Sequence, residues 1–161
     1  ERTFDLLTQA AGRAGRGDVP GKVVIQTYKP DNYAITAAAS QDYRAFYDIE
    51  EAYRSLMRYP PEWNMMVIMG TGMDEEQLAN IMDRMYSLIR GKYINAGHLS
   101  VIGPSEPAIS KIKDVYRRVL YIKHRDYRML VDVKDYVEEW LKENGENDVS
   151  VFFDLNPVNM Y

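Results

Sequence analysis

The sequence contains no cysteine and only two histidines, His98 and His124. Without cysteine there is no disulfide framework and no thiolate site for zinc, and two histidines are too few to form a metal centre alone. No apolar run approaches the roughly 18 residues that a membrane-spanning helix needs, and no N-terminal segment has the pattern of a signal peptide. We therefore expect a soluble, cytoplasmic protein that binds no metal.

The beginning of the chain has no methionine and no leader or capping segment. Glu1 is followed directly by a helical pattern whose apolar positions are Phe4, Leu6, Leu7 and Ala11. We therefore expect this chain to be a piece of a longer protein.

Positive and negative side chains are segregated along the sequence, although the net charge is only −4. A basic stretch comes first and an acidic stretch follows it. The basic stretch contains Lys111, Lys113, Arg117, Arg118, Lys123, Arg125 and Arg128, and the acidic stretch contains Asp132, Asp135, Glu138, Glu139, Glu143, Glu146 and Asp148. The small total charge therefore conceals a basic face and an acidic face.

The first 30 residues predict one helix and one strand. The helical pattern covers residues 2–11 and ends at a glycine-rich stretch. The later run KVVIQTY, residues 22–28, is apolar and rich in β-branched side chains, and it ends at Lys29-Pro30. We therefore expect a buried strand of an α/β sheet at this position.

Two further helices are predicted between this strand and residue 58. Asp31 or Asn32 can cap a helix that continues to Ala39, and Asp42 can cap a longer helix that continues to Met57. The apolar residues of the longer helix are spaced three or four apart, as on one helical face: Phe46, Ile49, Tyr53 and Leu56.

The paired prolines Pro60 and Pro61 mark a change of pattern, because proline ends a helix. We divide the chain there into residues 1–58 and 59–161. The second part predicts strands over 65–69, 99–102, 116–123 and 149–155, and helices over 74–90 and 127–143. This β-α-β-β-α-β order fits a ferredoxin-like fold, an antiparallel sheet with two helices on one face. The predicted fold class is α/β for the first part and α+β for the second.

Methionine is abundant, and most of it falls at positions that predict a core. The helix over residues 74–90 carries Leu78, Ile81, Met82, Met85 and Leu88 on one face, and the strand before it contains Met65 and Met66. Methionines can also form an adaptable binding surface. Their helix and strand spacing favours core packing here.

The most informative stretch for function is QAAGRAGR, residues 9–16. Arg13 and Arg16 are three residues apart with small residues between them, so both guanidinium groups can project from a closely packed turn. A guanidinium group is suited to bidentate contact with phosphate. The alternative is a glycine–arginine surface loop without such a role.

The pattern QxxGRxGR resembles motif VI of superfamily 2 helicases. The longer run over residues 8–17, together with residues 20–28, resembles the corresponding segment of the primosomal protein N′ family of replication-restart DNA helicases. Further similarities lie at Tyr59-Pro60-Pro61, Gly103-Pro104, Tyr116-Arg117 and Asp154-Leu155-Asn156-Pro157. The chain departs from the family at Glu62, where an aromatic residue is common, and at Asn156, where the family has an acidic one.

The resemblance implies that residues 1–58 end a RecA-like helicase lobe and that residues 59–161 form a C-terminal domain. It implies that Arg16 is an arginine finger, supported by Arg13 and Gln9, that reaches the γ-phosphate of ATP. The groups that hold ATP and magnesium, and the zinc insertion of the family, would lie outside this chain. We therefore expect no bound cofactor and no ATP hydrolysis in this chain alone.

The family implied by these motifs uses ATP to unwind DNA with 3′ to 5′ polarity at stalled forks in the bacterial cytoplasm. It also helps to load the replicative helicase. The resemblance therefore implies three partners: branched or forked DNA, other primosome proteins, and the acidic tail of single-stranded-DNA-binding protein. No membrane is implied.

The basic stretch has more than one interpretation. Tyr116, Tyr121 and Tyr127 are interleaved with its cations, and cations beside aromatic rings suit single-stranded or branched DNA. The same cations would suit the carboxylates of an acidic protein tail. A solvated strand and loop edge is the third interpretation. The resemblance favours DNA or a protein partner.

Overall fold

The computed structural model describes residues 1–14 and 21–158. The chain divides into two compact units, Glu1–Met57 and Arg58–Tyr161. The described part of the first unit contains α1 (Arg2–Arg13), α2 (Tyr33–Ser40) and α3 (Tyr43–Leu56). The second contains β1 (Asn64–Gly72), α4 (Glu75–Tyr93), β2 (Ser100–Ser105), β3 (Lys111–Ile112), β4 (Val115–His124), α5 (Tyr127–Asn144) and β5 (Val149–Leu155). None of the helices in these ranges is both long and apolar enough to cross a lipid bilayer.

Helices α2 and α3 begin at capping residues that the sequence predicts. The side chain of Asn32 accepts a hydrogen bond from the backbone N–H of Ala34, and that of Asp42 accepts one from Ala45. Each cap satisfies a backbone donor that has no partner within its helix. Both predicted helices are confirmed.

An aromatic pair forms the centre of the first unit. The rings of Phe4 and Phe46 stack with their centroids 4.3 Å apart. The small residues of α2 pack around them, namely Ala34, Ala37 and Ala38. Of the four residues predicted on the apolar face of α3, only Phe46 is buried; Ile49, Tyr53 and Leu56 are exposed.

The predicted strand over residues 22–28 is wrong. Its backbone forms no regular element, and Val24 and Tyr28 are exposed rather than buried. A strand is stabilised by hydrogen bonds to a neighbouring strand. Within residues 1–14 and 21–57 no strand is present to supply these hydrogen bonds. The run therefore does not form a strand, although its residues have strong β-propensity.

A hydrogen-bonded group links α2 to α3. The hydroxyl of Tyr33 donates to Oε2 of Glu50 at 2.5 Å, and Nε of Arg54 donates to Oε1 of the same carboxylate at 2.8 Å. The bond to Glu50, followed by burial, raises the pKa of Tyr33 to about 12. Burial alone would raise the pKa of Glu50, but the bonds from Tyr33 and Arg54 outweigh it and lower that pKa.

We expect Tyr33→Phe to lower the free energy of unfolding of the first unit by about 1 kcal/mol, typical of one hydrogen bond. Because the folded state raises the pKa of Tyr33, this contribution is complete below pH 10 and is lost as the pH rises through about 12. Urea titrations at neutral and alkaline pH measure this: raising the pH should lower the free energy of unfolding less in the variant than in the unaltered chain. Tyr53→Phe, on the exposed side of α3, serves as the control. Equal pH dependence in all three proteins would contradict the assignment.

The second unit is built on one antiparallel sheet with the strand order β2-β4-β1-β5, and β3 pairs with the beginning of β4. The central strand β1 pairs with both β4 and β5, so that Val67 lies between Tyr121 and Asp154. The four predicted strands and two predicted helices are confirmed. The two-residue strand β3 was not predicted.

One face of the sheet packs against α4 and α5. Met66 and Ile68 of β1 and Leu120 and Ile122 of β4 lie on this face. The helices add Leu78, Ile81, Met82, Met85, Ile89, Leu130, Val133 and Val137. The predicted core role of Met65, Met66, Met82 and Met85 is confirmed, because all four are buried. The last core position of α4 is Ile89 rather than Leu88, which is only half-buried.

Gly70 allows α4 to approach the sheet closely. A Cβ atom at this position would lie 2.6 Å from Sδ of Met82 and 2.9 Å from Cδ1 of Leu78. These distances are shorter than van der Waals contact. A larger residue at position 70 would therefore force the buried side chains of Met82 and Leu78 to move.

Candidate functional site

Of the three site residues predicted in the QxxGRxGR motif, Gln9 and Arg13 are described, and both lie on a helix, not on a turn. Helix α1 continues through Gly12 and ends at Arg13, beyond the predicted end at residue 11. Gln9 and Arg13 are four residues apart and therefore lie on one side of α1. Arg16 lies outside the described residues.

The side chains of Gln9 and Arg13 are exposed. No carboxylate in the described part of the chain forms an ion pair with Arg13, in contrast to Arg54 of the same unit, which pairs with Glu1 and Glu50. The Arg13 guanidinium is thus accessible to a ligand. That availability is what a phosphate-contacting arginine needs.

The structure separates the basic stretch into two groups at opposite ends of β4. Lys111, Lys113, Arg117 and Arg118 lie at the β3–β4 end and are called the hairpin cluster. Lys123 and Arg125 lie at the other end, and Arg128 follows in the first turn of α5. A strand rises about 3.3 Å per residue, so the two groups are roughly 20 Å apart.

Lys111 is positioned by its own hairpin. Its Nζ lies 3.1 Å from Oδ1 of Asp114 and 3.3 Å from the hydroxyl of Tyr116. The bond to Asp114, then that to Tyr116, raises the pKa of Lys111. Lys113, at the turn of the same hairpin, is exposed. Both side chains therefore present positive charge to solvent.

Arg117 and Arg118 line a small pocket with Lys111. Its volume is about 140 Å³, and it is lined by Glu75, Glu106, Ser110, Lys111, Tyr116, Arg117 and Arg118. The guanidinium of Arg117 donates to the carbonyl oxygen of Ile109 and contacts Sδ of Met69, each at 3.3 Å. Nη2 of Arg118 lies 3.8 Å from Oε1 of Glu75. Two of the predicted cations, Lys111 and Arg118, thus converge on one pocket, whereas the Arg117 guanidinium lies on the other face of the sheet.

The other end of β4 holds a cluster of cations and aromatic rings, called the Trp63 cluster. The guanidinium carbons of Arg58 and Arg125 lie 5.0 and 5.4 Å from the centre of the Trp63 ring. Nζ of Lys123 lies 3.6 Å from the centre of the Tyr59 ring. All three distances are within the range of cation–π attraction.

Lys123 is more deeply buried than the other predicted cations, of which Arg117 and Arg118 are half-buried and the rest exposed. Only 5% of its surface is exposed. Burial, and secondarily the charge of Arg58, lowers the pKa of Lys123. The Lys123 ammonium group lies inside the Trp63 cluster, over the Tyr59 ring. A partner could contact it directly only if the surrounding side chains moved aside.

Several members of these sites were missed by the sequence analysis. Arg58, Tyr59 and Trp63 precede the basic stretch by more than 40 residues, and Glu75 and Glu106 were not considered because they are acidic. The sequence offered one signal: Arg58 and Trp63 flank the paired prolines that resemble the family. Their proximity to Arg125 arises from strand pairing, which places Asn64 opposite His124.

A family model described as the primosomal protein N C-terminal domain matches residues 55–158 of this chain. The chain is 34% identical to the replication restart protein PriA of Bacillus subtilis, with 99% of this chain and 20% of the relative covered. It is 31% identical to PriA of Chlamydia trachomatis, covering 100% of this chain and 21% of the relative.

A third relative, PriA of Synechocystis, is 28% identical over 99% of this chain and 18% of its own length. The chain therefore spans about a fifth of the length of these relatives. The family model covers more than half of the chain, including the whole sheet and both clusters at the ends of β4. The chain belongs to the primosomal protein N family, and residues 55–158 are its C-terminal domain.

Proposed function

We propose that this chain is the C-terminal part of an ATP-dependent DNA helicase that acts with 3′ to 5′ polarity in replication restart, in the bacterial cytoplasm. Its relatives are named replication restart proteins. In this proposal the first unit supplies arginines to the ATPase site, and the second unit binds branched or forked DNA.

The first unit is proposed to complete a RecA-like lobe. The exposed apolar side chains of residues 22–28, such as Val24 and Tyr28, are available to pack against the rest of the lobe. The second unit is proposed to be ferredoxin-like. Its strand order, with two helices on one face, supports this assignment.

Arg16 is proposed as the arginine finger, with Arg13 and Gln9 in support. The exposed position of Gln9 and Arg13 on one side of α1 leaves both side chains free to reach a nucleotide. ATP and magnesium would be held mainly by residues of the full-length protein outside this chain, and so would zinc. The chain alone is therefore proposed to be inactive as an ATPase.

The observation that carries the DNA-binding proposal is the convergence of Lys111 and Arg118 on one pocket, with Arg117 beside it on the same strand. Lys113 adds exposed charge beside it. Affinity for nucleic acid comes largely from cations that neutralise backbone phosphates. The hairpin cluster offers such cations locally, although the net charge of the chain is −4.

The Trp63 cluster favours a second candidate, a non-catalytic docking site for the acidic tail of single-stranded-DNA-binding protein. Arg58 and Arg125 both lie against Trp63, and neither forms an ion pair with a described residue. Arginine beside a large aromatic ring is a common combination at protein interfaces. Other primosome proteins are candidate partners for the same surface.

The DNA-binding proposal is tested by neutralising the hairpin cluster. The triple variant Lys111→Gln, Lys113→Gln and Arg118→Gln is expected to weaken binding to labelled forked DNA by about 10- to 100-fold at low salt. It should also lower the slope of log Kd against log salt concentration by about one for each phosphate contact that is lost. Arg117 is left unchanged because its contacts with Met69 and Ile109 hold the loop.

A second triple variant provides the matched control. Lys92→Gln, Lys134→Gln and Lys142→Gln change the net charge equally, but these lysines lie on α4 and α5. We expect less than about twofold weakening, since Lys134 and Lys142 are paired with Glu138 and Glu139. If both triples weaken binding equally, net charge and not the hairpin cluster determines affinity.

A further inference from the structure

The pocket lined by Lys111, Arg118 and Glu75 is called the hairpin pocket. We propose that it binds a single backbone phosphate of nucleic acid, and that Glu75 forms an ion pair with Arg118 when no phosphate is bound. This inference rests on the proposed DNA-binding function and identifies the atoms that perform it. The sequence resemblance assigns no role to Glu75, and the basic stretch alone does not reveal a pocket.

The shape of the pocket fits a small anion. Its volume of about 140 Å³ is many times the roughly 10–15 Å³ that one water molecule needs, so it has room for a phosphate group. Lys111 enters it from β3 and Arg118 from β4. The guanidinium of Arg117 lies on the opposite face of the sheet, against Met69. Ser110 and Tyr116 add hydroxyl groups, which can donate to phosphate oxygens.

The two arginines differ in how firmly they are held. Arg117 is fixed by two contacts of its guanidinium, to Ile109 and Met69. Arg118 has an ion pair with Glu75 at 3.8 Å, which is much longer than the 2.7–2.9 Å of a strong charge-assisted hydrogen bond. Arg118 is therefore the arginine that can exchange its present partner for a ligand at the lower free-energy cost.

The carboxylates explain why the pocket is selective against weak anions. Glu75 and Glu106 line it together with Lys111 and Arg118. A monovalent anion gains little there, because the two carboxylates repel it. A phosphate in a nucleic-acid backbone is held by further contacts along the strand, such as that of the nearby Lys113, and can displace Glu75 from Arg118. The pocket would then distinguish a polyanion from an isolated ion.

Glu75 and Glu76 provide a matched pair for the test. Both lie in the first turn of α4, but only Glu75 lines the pocket. Glu75→Gln is expected to strengthen binding of the whole chain to labelled forked DNA by about three- to tenfold, because it removes a competitor for Arg118 and a like charge beside the phosphate. Glu76→Gln makes the same change in net charge and is expected to alter affinity by less than about twofold.

Arg118→Ala should act in the opposite direction. It is expected to weaken DNA binding and to lower the slope of log Kd against log salt concentration by about one. When Arg118 is already replaced by alanine, Glu75→Gln should no longer strengthen DNA binding appreciably. The double variant thus reports coupling between the two residues rather than a change in folding. Thermal unfolding of each variant, followed by circular dichroism, checks that the fold is retained.

Each outcome distinguishes the pocket from the broader proposal. Equal effects of Glu75→Gln and Glu76→Gln, or additive effects of Glu75→Gln and Arg118→Ala, would overturn the phosphate pocket while leaving DNA binding in place. An effect of Glu75→Gln on an acidic peptide but not on DNA would also overturn it. If the unaltered chain binds no forked DNA, the proposed function fails and the pocket fails with it.

Discussion

Replacing Arg16 by alanine in the full-length protein is expected to lower DNA-stimulated ATP hydrolysis by about 10³- to 10⁵-fold. An arginine finger stabilises charge that develops on the transferred phosphoryl group. Since that charge is largest in the transition state, the loss should appear in kcat more than in KM. ATPase assays with saturating forked DNA measure this directly.

Arg16→Lys refines the prediction. Lysine keeps the positive charge but cannot form the two-pronged contact of a guanidinium, so partial activity is expected. Arg2→Ala, an exposed arginine on α1 outside the motif, should leave hydrolysis unchanged. Arg13→Ala is expected to have an intermediate effect. Full ATPase activity in Arg16→Ala would remove its proposed role and favour the surface-loop interpretation.

Met85→Ala is expected to lower the free energy of unfolding of the second unit by about 2–5 kcal/mol. Met85 is fully buried among the side chains of α4, α5 and the sheet, so its removal leaves a cavity that the packed neighbours cannot fill. Chemical denaturation measures the change. The midpoint should fall while the dependence on denaturant stays constant.

Met73→Ala is the matched control for this change. The same atoms are removed, but Met73 is 77% exposed at the end of β1. We expect its effect to stay within about 0.5 kcal/mol, as for most surface substitutions. If the two variants were equally stable, the methionines would form an adaptable surface rather than a core.

Local signals in the sequence were sufficient for most helices and strands. The caps at Asn32 and Asp42 depend on a side chain and a backbone amide two or three residues away, which is information contained within the segment itself. Strand β5 was predicted with its observed bounds because apolar and β-branched residues fill it between turn residues. Such features do not depend on the rest of the fold.

Residues 22–28 show where local signals fail. The run has the composition of a buried strand, but pairing requires partners that composition does not specify. The one-residue difference between Leu88 and Ile89 has a similar cause. Which residues of α4 face the sheet depends on how the whole helix packs against β1 and β4, and three-residue spacing does not determine it.

The arrangement of the basic stretch was also beyond the reach of sequence. Residues 111–128 are continuous in the chain, yet β4 carries their two ends apart. Lys123 was grouped with exposed cations, whereas β4 places it in the Trp63 cluster beside Tyr59. The acidic wall of the hairpin pocket arises because β4 and the start of α4 bring Arg118 to Glu75. These are long-range contacts that a charge count does not contain.

The central claim is that this chain binds DNA through cations held by its second unit. Its most direct test is the affinity of the unaltered chain for labelled forked DNA, and for a peptide of the acidic tail, between about 50 and 200 mM salt. We predict DNA binding whose log Kd changes by about three or more units per unit of log salt concentration. Tight peptide binding with negligible DNA binding would contradict the claim and identify the second unit as a protein-docking module.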